Sequence, residues 1–135
     1  MVELIVVSHG NFAKALLGSA ELVMGEQENV TTFGFHLGEN VEDLRNKIEE
    51  KIKAIQKESP ESEILVLTDM KSGSPFNAST MLMQNYDFYQ IAGINLPIFL
   101  EILGTREFET AASLSDMATT LGKETIVDVK KLMED

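Results

Sequence analysis

A chain of 135 residues is long enough to bury one core without metals or disulfides, so a single domain spanning 1–135 is expected. Cysteine is absent, which excludes a disulfide framework and thiolate metal sites and fits a reducing compartment. The net charge of −11, from 22 acidic and 11 basic residues, repels phosphate backbones and anionic lipid surfaces; nucleic acid is not an expected partner, and a charge-steered partner should be basic.

The amino terminus, Met1-Val2-Glu3, is acidic where an export signal is basic, and the most apolar helical candidate, Leu96 to Leu103, is short and contains Glu101. A cytoplasmic protein without direct membrane insertion is expected. Val2 to Val7 is a nearly continuous aliphatic run, as in a strand buried on both faces. Ala13, Leu16, Leu17, Ala20, Val23 and Met24 then recur at helical spacing, with Asn11 as N-cap and Gly25 as the stop. Val30 to Phe35 suits a second strand and Gly38-Glu39-Asn40 the turn out of it.

The clearest helix follows, with Val41, Leu44, Ile48, Ile52 and Ile55 on one stripe and charged residues elsewhere. Its pairs Arg45 with Glu49 and Glu49 with Lys53 are ordinary solvated helix surface. After Ser59-Pro60, Ile64 to Thr68 reads as a third strand, and a helix opens with Ser74 as N-cap and Pro75 at its first position. Phe88 to Ala92 makes a fourth strand closed by Gly93, and Asn95 caps a helix that Gly104 breaks. A helix over roughly Glu107 to Leu121 and a terminal strand over Glu124 to Val129 complete the pattern, and the seven methionines read as core filling.

Strands alternating with helices predict an α/β fold, a small doubly wound and mostly parallel sheet with helices on both faces. If the third strand joins beside the first, in the flavodoxin-like order, a crevice opens above their carboxyl ends. His9 and Asp69 would then face each other across it. A neutral imidazole can attack through one ring nitrogen while the other holds its proton, and a nearby carboxylate can fix the tautomer and stabilise imidazolium character. Two helix amino termini, near Asn11 and at Ser74, suit a bound oxyanion, so the combination favours a phosphoryl group on His9.

Blander roles also fit these residues: His9 as a hydrogen-bonded loop residue, Asp69 as a loop cap, and Ser72 to Pro75 as a turn. His36 reads as structural or incidental, and Glu39, Glu42 and Asp43 as first-turn residues complementing a helix dipole. No Walker-type loop, no histidine pair at helical spacing and no acidic cluster near His9 is present in the sequence, so ATP hydrolysis and metal chemistry are not expected. Lys14 and Lys71 are the cations nearest the site in sequence.

From Met1 to about Leu121 the chain resembles the IIA phosphocarrier domains of the mannose-type (mannose/fructose/sorbose) bacterial phosphotransferase system. The resemblance rests on His9-Gly10 after the first strand, Gly25-Glu26-Gln27-Glu28-Asn29-Val30, Gly38-Glu39-Asn40, Thr68-Asp69 with Gly73-Ser74-Pro75-Phe76-Asn77, and Ala92-Gly93-Ile94-Asn95-Leu96-Pro97. It implies that His9 takes a phosphoryl group on Nε2 from HPr and hands it to a mannose-type IIB domain, with Asp69 beside the ring and Gly73 and Ser74 holding the phosphoryl. It implies no cofactor and no metal, and a homodimer in which a terminal strand, here Glu124 to Val129, is exchanged. The chain departs from the family at Met70-Lys71-Ser72-Gly73, where Ser72 replaces a glycine and Lys71 adds a cation at the rim. Two other readings are a phosphotransfer subunit of a dihydroxyacetone kinase, against which Asn77 and Gly93 to Pro97 speak, and a phosphorylation-controlled regulatory module.

Overall fold

The computed structural model describes residues 1–134. Four strands, β1 (Glu3–His9), β2 (Val30–Phe35), β3 (Ile64–Thr68) and β4 (Tyr89–Ala92), form one sheet in the order β2-β1-β3-β4. Every pairing is parallel, with Val7 opposite Phe33 on one side and Thr68 on the other. The order is the expected one, and β1 lies between β2 and β3.

Helices cover both faces because the central strands are apolar on both. Leu4, Val6, Leu65 and Leu67 pack under α1 (Phe12–Met24), α4 (Leu96–Thr105) and α5 (Ala111–Leu121). Ile5, Val7, Ile64 and Val66 pack under α2 (Val41–Glu58) and α3 (Ser74–Leu82). On α2 the stripe Leu44, Ile48, Ile52 and Ile55 is buried, each side chain contributing about 1.5–3 kcal/mol, whereas Val41 at its first position is exposed. The charged face pairs differently from the expected spacing: Arg45 donates to Glu42, and Glu49 accepts from the Tyr86 hydroxyl at 2.9 Å.

Several boundaries differ from expectation for local reasons. Gly104 lies inside α4, since the chain stays helical until the Arg106 N–H closes on the Ile102 carbonyl. α5 starts only at Ala111, where Thr110 and Ser113 form a reciprocal capping box. Glu124 to Val129 is not a strand. A 3₁₀ turn over Gly122–Glu124 is pinned by the Thr125 hydroxyl, which donates to the Gly122 carbonyl and accepts from Asn95. Asp128 then accepts from the Lys131 N–H and opens α6 (Val129–Glu134). The methionines are not core filling either: Met1, Met24, Met70, Met81, Met83 and Met133 are exposed, and Met117 packs partly buried against the core. No helix among the described residues is long and apolar enough to cross a membrane.

Candidate functional site

β1 runs on to His9, so the histidine is the last strand residue and its side chain emerges at the carboxyl edge of the sheet. Asp69 stands one residue beyond β3. Because Val7 is opposite Thr68, both side chains overhang the same edge. One carboxylate oxygen, Asp69 Oδ2, accepts from the His9 backbone N–H at 2.9 Å and lies 2.8 Å from the ring Nδ1. The other, Oδ1, accepts from the Met70 N–H at 3.0 Å. A carboxylate can only accept, so the proton sits on Nδ1 and the Nε2 lone pair is free. The His9 side chain is 45% exposed and that of Asp69 only 14%, which places a sheltered carboxylate behind an open ring.

Gly73 closes the other side of the ring. Its φ of +89° and ψ of −178° form a conformation that only glycine adopts easily, and a Cβ there would lie 2.9 Å from both Cε1 and Nε2 of His9. The first turn of α3 therefore sits against the Nε2 edge of the ring. Gly73, not Ser74, is the N-cap; Ser74 is the first helical residue, and Pro75 contributes no N–H. The amides of Ser74 and Phe76 thus belong to the unpaired amino end of the helix. Lys71 is exposed on the rim.

Beneath His9, the chain turns into α1 by a route the sequence does not suggest. Gly10, at φ +53°, donates its N–H to the Phe35 carbonyl at 2.7 Å. Asn11 makes no side-chain cap; the fully buried Ser8 accepts from the Ala13 N–H instead, at 2.7 Å. The Asn11 carboxamide lies 3.1 Å from Nε2 of His36, just past the end of β2. His36 has a carboxylate partner too, since Glu39 Oε1 accepts from its backbone N–H at 2.5 Å and lies 2.9 Å from its Nδ1. These bonds hold the Glu39 carboxyl below the 4.5 usual for glutamate, the backbone contact counting most. His36 is therefore not incidental and Glu39 is not merely a helix-dipole residue. The three-residue spacing across Gly38 was the available signal.

The fold and this edge define an α/β domain that presents a tautomer-fixed, half-exposed imidazole beside a helix amino terminus. The chain belongs to the family described as the PTS system fructose IIA component, whose profile matches residues 3–119. It is 35% identical over 108 residues to a PTS system fructose-specific EIIA component of Bacillus subtilis, covering 79% of this chain and 72% of that protein. It is 34% identical over 131 residues to the PTS system mannose-specific EIIAB component of Escherichia coli K12, covering 96% of this chain but only 40% of that longer protein. Among solved structures it resembles the phosphotransferase system component EIIA of Streptococcus agalactiae, with a TM-score of 0.81 and 37% identity over 97% of this chain and 99% of that one.

Proposed function

We propose that the protein is a phosphohistidine carrier of a phosphoenolpyruvate-dependent sugar phosphotransferase system, taking its phosphoryl group from phospho-HPr and delivering it to a mannose-type IIB component. The observation that carries this reading is the Asp69 oxygen shared by the backbone and Nδ1 of His9, which leaves Nε2 as the nucleophile. The Nε2 lone pair attacks phosphorus, the P–N bond of the donor's phosphohistidine breaks, and its electron pair returns to the donor ring, which, carrying a proton on its other nitrogen, leaves as neutral imidazole. His9 keeps its Nδ1 proton, so the phosphorylated ring is an imidazolium whose charge faces Asp69. The onward step is the reverse attack by the acceptor's histidine.

Gly73 and Ser74 bring the amino end of α3 to the phosphoryl oxygens, where its N–H groups and dipole favour an anion. Lys71 adds a cation from the rim. The transfer uses no metal and no cofactor. Both substrates are proteins, consistent with the open ring, and the site belongs in the cytoplasm, where the donor is. The carrier works as a homodimer, a reading supported by an apolar carboxyl-terminal segment, Ile126, Val127, Val129, Leu132 and Met133, that one chain leaves exposed.

Intact mass after incubation with phosphoenolpyruvate, enzyme I and HPr tests the carrier. One acid-labile phosphoryl group on the parent and none on His9→Ala is the expected result. A folded parent that stays unmodified overturns it.

A further inference from the structure

Asn40, Asn95 and Thr110 cap their helices in one way, and Asn11, which also carries a capping side chain, does not. Asn40, Asn95 and Thr110 are extended, with ψ of 153°, 172° and 164°, and each side chain accepts from the N–H three residues on. Asn11 has φ −94° and ψ 9°, and its side chain caps nothing. This is the sparsely populated bridge region of backbone space. The residue that differs is the one two positions after His9.

Its side chain is engaged elsewhere. Glu39 holds the His36 proton on Nδ1, so Nε2 accepts from the NH2 group of the Asn11 carboxamide turned toward it, and His36 is fixed by the two contacts to Glu39 and by a turn in which the Glu39 N–H donates to the His36 carbonyl at 3.1 Å. Gly38, at φ +88°, completes that turn. The β2 edge is cut to receive it: a Cβ on Gly34 would collide with the Gly10 carbonyl and lie 2.9 Å from Cε1 of His36. The His9-Gly10-Asn11 turn is thus held from the β2 side by the Phe35 carbonyl, the bare Cα of Gly34 and the His36 ring. With Asn11 tied back, the amides of Asn11, Phe12 and Lys14 receive no side-chain cap, and they lie at the end of α1 that follows His9.

We propose that His36 is a positioning residue for phosphoryl transfer at His9: by holding the Asn11 amide against the β2 edge it prevents Asn11 from swinging into the capping conformation that the other N-caps adopt. Capping would turn the peptide after Asn11, drag the Gly10 turn beneath His9, and occupy the Lys14 N–H. The clamp keeps the turn fixed and those amides open to phosphoryl oxygens. The inference rests on the carrier reading above. His36 touches neither reacting atom and acts only through Asn11.

The test is the single-turnover rate of transfer from phospho-HPr to His9 in four proteins: the parent, His36→Ala, His36→Gln and the double variant His36→Ala with Asn11→Ala. His36→Ala should be slower by about tenfold, within the range for removing a group that orients a reacting residue. His36→Gln, which keeps an amide at the level of Nε2, should stay within about threefold of the parent. The double variant should regain most of the lost rate, because alanine cannot cap. Amide exchange at Lys14 should slow in His36→Ala and return to the parent rate in the double variant. A purely structural histidine would give a lower melting temperature and a double variant at least as impaired. If the parent is phosphorylated and His36→Ala keeps its rate, or the double variant remains as slow, the clamp is overturned and the carrier stands. If the parent takes no phosphoryl group, both fall.

Discussion

An imidazole cannot rotate to present its other nitrogen without losing the Nδ1 contact, and the backbone N–H holds the same Asp69 oxygen in place, so Asp69 sets orientation and tautomer together. Asp69→Asn exchanges an acceptor-only group for one that can also donate, which admits the tautomer protonated on Nε2. Acceptance of phosphoryl by His9 should fall by about 10²- to 10⁴-fold, with melting temperature little changed, as rapid-quench transfer and thermal unfolding would show. Gly73→Ala acts on the other edge of the ring. It should destabilise the protein by about 1–3 kcal/mol through its φ of +89° and also obstruct Nε2, so that transfer falls even at temperatures where the variant is folded. Glu39 offers a pH readout of the neighbouring turn. Its carboxyl is lowered from 4.5, so its stabilising contribution is complete above the unfolded value and is lost as pH falls through the lower folded value. Carbon-detected NMR should find a titration midpoint below 4.5 in the parent that moves back up in His36→Ala.

At the scale of elements, β1 and β3 were legible because a strand covered on both faces needs an uninterrupted apolar run, and the two provide one each, whereas their adjacency was only a conditional expectation because apolar runs do not encode strand order. His9 and Asp69 were legible for the same reason, as polar residues placed where such runs end. What could not be read were choices between competing acceptors. Asn11 has a capping side chain and the right position, yet His36 claims it, and that depends on how the β2 and β1 ends meet. Glu124 to Val129 has strand-forming residues, but a strand also needs a ladder, and within one chain Thr125 and Asp128 find local partners that favour turns and helix. Arg106 is the largest omission. It is buried, with Nη1 donating to the carbonyls of Val2 and Asn29 and Nη2 to the carbonyl of Glu28 at 2.5 Å and to Gln27. Burial lowers its pKa from the usual arginine value. It ties the start of β1 to the segment entering β2 from the end of α4. Arg106→Met should strip donors from those carbonyls and cost about 3 kcal/mol, measured by denaturant unfolding, while leaving the geometry at the opposite edge and hence the transfer rate of the folded protein near the parent value.

For the whole molecule the surface is uneven in a way that bears on assembly. A net charge of −11 opposes self-association at low salt, yet Ile126 is 87% exposed and shares the carboxyl-terminal segment with four other exposed apolar side chains. Ile126 also borders a hollow lined by Ile91, Ile94, Ile98 and Ala118, at the β4 edge of the sheet. β4 pairs only with β3, so its outer backbone groups have no ladder partner among the described residues. The homodimer proposed above would use an apolar tail beside an unpaired edge, exchanging the tail's local bonds for intermolecular ones. Light scattering should therefore give twice the mass of one chain, with association strengthening as salt screens the shared negative charge. A chain ending at Glu124 keeps the sheet, His9 and Asp69 but loses the tail, and should sediment as a monomer that still accepts one phosphoryl group. Should that shortened chain remain dimeric, the contact lies on another face; should the parent be monomeric at high salt, the exposed tail has some other occupant.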